Sequence, residues 1–168
     1  MDNSNNSSLL VNAFLSNLVG LECWSVIAGS GTGSMATFDF GKKIERKRPL
    51  NNLNLTPIAR EYYGEFSIFI QEADWRLGQD KETICTNHDK NDNDGLMTLG
   101  LKKLIGRKII SVNLLNENLN FGLSFNEGFF IEVTCIYKSD DFFDNYSLHT
   151  LARILSVNGD GQLTIEKK

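Results

Sequence analysis

One stretch of this chain occurs twice, and that constrains the fold more than any other feature. Residues Leu9 to Val26 read LLVNAFLSNLVGLECWSV, and residues Leu96 to Val112 read LMTLGLKKLIGRKIISV. At a constant offset they share Leu10/Leu96, Leu15/Leu101, Leu18/Leu104, Gly20/Gly106, Ser25/Ser111 and Val26/Val112. After a one-residue slip the match resumes, with Phe38-Asp39-Phe40 facing Leu123-Ser124-Phe125. The common unit is a short helix, a glycine that ends it in the left-handed conformation, and a β-hairpin. We therefore expect an α+β, β-rich protein of two internally repeated halves, each a short helix followed by antiparallel strands.

Local signals place the elements. Ser7 or Ser8 is positioned to cap a helix over residues 8–18, with Leu10, Phe14, Leu15 and Leu18 on one face. Strands are expected over 21–28 and 35–41, joined by the turn GSGTGS, and then over 65–71, where Phe66, Ile68 and Ile70 alternate. That strand is read as continuing, bent, through Trp75 and Leu77, with another near 82–86. The second half predicts a helix over 96–104 and strands near 108–114, 120–125, 129–138 and 148–157. Asn158-Gly159-Asp160-Gly161 then turns the chain into a last strand at 163–165. The expected organisation is one domain, 1–168, of two pseudo-repeats (about 8–86 and 95–168). The segment near 42–63 has no counterpart in the second repeat and is an insertion in the first.

Bulk properties bound the function classes. A chain of 168 residues, 41% hydrophobic with 11 phenylalanines, can build a real core. Its net charge of -4 disfavours general nucleic-acid binding. The basic run Lys42, Lys43, Arg46, Lys47 and Arg48 fits an exposed edge strand better than a phosphate grip. Cys23, Cys85 and Cys135 form no CxxC pair and match reduced thiols. With neither a signal-peptide pattern nor a span of about 20 apolar residues, a cytoplasmic location without membrane attachment is expected.

Several chemical motifs fail on context. Gly31 to Ala36 matches G-x-G-x-x-A, but the next residues alternate like a strand where a dinucleotide site needs a helix. Asp89, Asn91 and Asn93 have calcium-loop spacing, with Gly95 out of register. Cys85 and His88 lack the further ligands of a closed zinc site, and the only other histidine is His149. Glu22, Asp39, Glu65, Glu72 and Asp74 offer carboxylates on a sheet face, at a frequency expected of 21 acidic residues. No metal, cofactor or catalytic residue is assigned, and the chain is read as non-enzymatic. Two acidic loops look directed at a partner: Asp140, Asp141, Phe142, Phe143 and Asp144, and secondly Asp89, Asp92 and Asp94. The alternative is a ligand-binding or enzymatic cleft between the two halves, lined by Trp24 and Trp75.

The pattern L-x-G-x-x-x-W-S-V, a glycine-rich turn, F-D-F-G and the later GEFSIFIQEADWRL resemble a family of small bacterial two-repeat β-rich proteins. By analogy of size, charge and missing catalytic motif, they are similar to the immunity proteins of toxin–immunity and contact-dependent growth inhibition systems. That likeness implies a protein partner: a cognate toxin, the C-terminal domain of a large secreted protein, neutralised by direct binding.

Overall fold

The computed structural model describes residues 3–115, 118–138 and 143–168. Helix α1 (Asn3–Ser16) precedes strands β1 (Cys23–Ile27) and β2 (Ala36–Glu45). A short helix α2 (Pro57–Glu61) leads into β3 (Tyr62–Ile70), β4 (Asp74–Gln79) and β5 (Glu82–Thr86). Then come α3 (Leu96–Lys102), β6 (Ile109–Leu114), β7 (Phe121–Phe125), β8 (Phe129–Thr134), β9 (Asp144–His149), β10 (Arg153–Asn158) and β11 (Leu163–Lys167). Every strand pairing is antiparallel. This is a β-rich α+β fold.

The strands form two sheets, in the orders β1-β2-β3-β9-β10-β11 and β5-β4-β8-β7-β6. Neither sheet is confined to one half of the chain. β1 to β3 are completed by β9 to β11 from the second half, and β6 to β8 by β4 and β5 from the first. The continuous bent strand expected through Trp75 does not exist. Gln71, Glu72 and Ala73 carry the chain from one sheet to the other, and Trp75 begins again in the second.

The two similar segments meet and share their local geometry. Gly20 and Gly106 both take positive φ, +87° and +85°, with open space where a Cβ would sit. Backbone conformation, not crowding, is therefore what demands glycine there. The Gly20 N–H donates to Ile109 O at 2.7 Å, and the Gly106 N–H donates to Cys23 O at 2.7 Å. Glu22 and Lys108 form the antiparallel bridge between them. Each following hairpin is bulged at the corresponding place, Cys23/Ser25 in one and Ile109/Ser111 in the other.

A single apolar cluster lies under both sheets and both longer helices. It takes Val11, Phe14 and Leu15 from α1, Leu18 from the turn after it, Phe38, Phe40, Ile68, Tyr146 and Leu148 from one sheet, and Trp75, Leu77, Phe121, Leu123 and Ile131 from the other. Phe14 meets Phe66 edge-on at 5.8 Å, and Phe121 meets Tyr146 edge-on at 4.9 Å across the two sheets. Each such ring contributes about 1.5–3 kcal/mol by leaving water.

Three expectations need correcting. Ser7 and Ser8 lie inside α1, which starts at Asn3, and so do not cap it. The run from 148 to 157 is neither one strand nor a helix: the chain reverses at Thr150, whose Oγ accepts from the Ala152 and Arg153 N–H groups at 3.2 and 3.1 Å. The inserted segment also contains α2, with Thr56 as N-cap accepting from Ala59 N and Pro57 at its first turn. The basic run begins on an open edge, as expected: Lys43, Ile44 and Glu45 pair with Gly64, Tyr63 and Tyr62 of β3 on one side, while β1 pairs with β2 only as far as Phe40 on the other.

Candidate functional site

The described residues at the bases of the two predicted acidic loops are held by the crossover between the sheets. Glu72 N–H donates to Asp144 O at 3.2 Å, and the Gln71 and Ala73 N–H groups donate to Asn145 O at 3.0 and 3.3 Å. Two residues on, Asp74 Oδ1 accepts from Asn87 Nδ2 at 2.9 Å and lies 3.3 Å from His88 Nε2. Both loops are thus tied to the link 71–74. Phe143 is 61% exposed, Asp144 is half-buried at the start of β9, and Asp92, Asp94 and Glu72 are exposed. Asp89 is not a free ligand: its Oδ2 accepts from the Thr86 N–H and hydroxyl at 2.7 and 3.1 Å. Asp140, Asp141 and Phe142 lie outside the described residues.

Asn145 fixes this end from within and carried no sequence signal of its own. It is fully buried, its Oδ1 accepts from Ile136 N at 2.7 Å, and its Nδ2 donates to Ile136 O and Asn158 O at 3.0 and 3.2 Å. One amide therefore holds β9 against the chain that leaves β8 and the end of β10.

The tryptophan cleft is not formed. The seam between the halves is occupied by the shared core; there Trp75 is 3% exposed and donates its indole N–H to Ser34 O at 3.0 Å. Trp24 is half-buried elsewhere, with Lys43 Nζ 5.3 Å from its ring centre. Cys85 is buried while His88 is exposed, so the CxxH pair does not converge. Among the described residues no group of three His, Cys, Asp or Glu side chains is placed to hold a metal. The glycine-rich stretch is the turn joining β1 to β2, with Gly31 and Gly33 at φ +91° and +61°.

A second concentration of polar groups lies across the six-stranded sheet, on the face turned away from the core. Ser25, Asp39, Ser67 and His149 are successive cross-strand partners on β1, β2, β3 and β9. Asp39 is 1% exposed. Its Oδ1 accepts from Gly64 N–H at 2.9 Å and from Ser67 Oγ at 2.6 Å, whereas Oδ2 is buried without a hydrogen-bond partner. Ser147 Oγ and His149 Nε2 are 2.8 Å apart. Burial, reinforced by the nearby Lys168 charge, pushes the His149 pKa down to about 4, so the ring is neutral at pH 7. Of these, Asp39, Ser67 and His149 line a cavity of about 380 Å³ together with Tyr63, Phe69, Arg46 and Lys168.

The matching face of the five-stranded sheet is different. Ser124 stands where the sequence alignment sets Asp39, and it is half-buried beside an open groove of about 610 Å³. The charged pair on that face, Arg76 Nε and Glu132 Oε2 at 2.6 Å, is complete in itself and solvated. The inserted segment has no counterpart there. On the first sheet, α2 folds back against β1 and β3, straddling the strand that carries Asp39.

No protein-family model, curated protein or solved structure matches this chain. Among the described residues no helix is long and apolar enough to cross a membrane.

Proposed function

We propose that the protein works by binding another protein through its acidic end, and most specifically that it is an immunity protein that neutralises a cognate bacterial toxin. The observation that carries this reading is that Asp144 and Asn87, at the bases of the two acidic loops, both bond to the crossover 71–74, with Phe143 exposed beside Asp144. Exposed carboxylates attract a basic partner over about one Debye length, and an aromatic side chain among them supplies apolar contact once the surfaces meet. A toxin that acts on nucleic acid or another anionic substrate presents such a basic surface at its active site. Covering that surface neutralises it without any chemistry on the part of the inhibitor.

The experiment is to look for a large secreted protein encoded beside this one and to co-express its C-terminal domain with this chain. Restored growth and a co-purifying complex are expected. Continued toxicity, with no complex between the purified proteins, would overturn the reading.

A further inference from the structure

The geometry points to a second site, separate from the acidic end: the cavity on the outer face of the six-stranded sheet binds a small zwitterion of free amino-acid size. Its ammonium group meets Asp39, and its acid group meets Arg46 and Lys168. His149, which borders this cavity, lies at the opposite end of β9 from Asp144.

Burying an ionised group costs several kcal/mol unless a charge or a full set of hydrogen bonds compensates it. Asp39 has two neutral donors, both on Oδ1, and no cationic side chain among the described residues bonds to it. An ammonium ion supplies the missing charge and the missing donor for Oδ2 together.

The rim carries the opposite sign. Arg46 and Lys168 both lie over the Tyr63 ring, 5.4 and 5.9 Å from its centre. A simple cation would meet these two charges on entry, and a simple anion would meet Asp39 at the floor. A ligand with both groups matches both ends. Neutral His149 adds no third cation at pH 7. A volume of about 380 Å³ stands at the small end of the usual range for ligand sites, roughly 300–1,000 Å³, which favours a compact molecule.

The test is a titration of the full chain with glycine, serine, glutamate and lysine as free amino acids, followed by the amide resonance of Gly64 and the ring resonances of His149. Ethylammonium and acetate serve as single-charge comparators. At least one amino acid should shift both sets of signals at millimolar concentration and bind more tightly than either comparator. Asp39→Asn keeps an oxygen for Gly64 and Ser67 and should weaken binding about tenfold, the worth of one charge-assisted hydrogen bond. Should that variant fail to fold, Lys168→Gln and Arg46→Gln at the rim should each weaken binding in the same direction. Silence across the panel, comparators that bind as tightly as the amino acids, or undiminished binding in the variants that fold would overturn the proposal.

Discussion

Asp39 and Asp144 are both carboxylates on strands of the same sheet, yet they stand in opposite physical regimes. Asp39 is enclosed, and its attraction is short-ranged and scarcely screened. Asp92, Asp94 and Glu72 face water, and Asp144 is half-exposed, so that salt screens them and a single contact is worth little. A buried charge therefore discriminates at contact, whereas exposed charges gather a partner from a distance. The exposed group lies by the crossover, and the buried one sits within the six-stranded sheet, bonded to Gly64 and Ser67 of β3.

Perturbations of the buried framework should have the largest effects. Gly64→Ala would bring a Cβ to 2.4 Å from Phe66 O and 2.8 Å from Phe40 N, both backbone atoms, while displacing the N–H that Asp39 holds. Urea unfolding should show a loss of roughly 3 kcal/mol or more, or no folded protein at all. A change below about 1 kcal/mol would mean that this strand pair is not closely held. Asn145→Ala removes the side chain that anchors the acidic end and strands Ile136 N–H in the interior. The same measurement should give a loss of about 2–3 kcal/mol, unaffected by salt.

The pH dependence sharpens the contrast at intermediate size. His149 is held neutral in the folded chain down to about pH 4, while its unfolded counterpart titrates near 6.5. Above pH 6.5 neither state is protonated and the site costs nothing. Between 6.5 and 4 the unfolded chain takes up a proton that the folded chain refuses, so stability falls as pH falls through that window. His149→Gln should flatten this part of the profile in thermal melts. An unchanged slope would show that the ring is solvated.

The exposed carboxylates should matter least to stability. Reversing Asp92, Asp94 and Asp144 to lysine together should change unfolding free energy by about 1 kcal/mol or less. The effect belongs instead to association with a basic partner, whose rate should fall most at low ionic strength, the difference from the native chain narrowing as salt is raised. A large stability loss would show that these charges are structural and not a docking surface.

Much of this was legible from local pattern, and the remainder depended on distant chain. The glycines at 20 and 106, the alternation of Phe38 and Phe40, and the Asn158–Gly161 turn act over a few residues and read directly. The division of strands between sheets did not, because period-two alternation says which face a residue takes but not which strand lies beside it. The spacing of Leu148, Leu151 and Leu155 imitated a continuous element, and only the hydrogen bonds of Thr150 show the reversal. Thr56-Pro57 carried a helix-start signal that an asparagine-rich surrounding obscured. Asp39 occupies an outward position between two phenylalanines, where solvent is the ordinary expectation. It is nevertheless 1% exposed and held by Gly64 and Ser67 of β3, more than twenty residues away, which no nearby residue announces.

The most direct test of the central claim, that this protein acts by binding a toxin through its acidic end, is the association rate of the purified pair. It should be measured at low and physiological salt with the native chain and with Asp140, Asp141 and Asp144 reversed to lysine. Binding by the native chain that slows as salt is raised, and a variant slowed about tenfold or more at low salt, is the predicted result. Equal rates for the two proteins at both salts, or no binding by either, would contradict it.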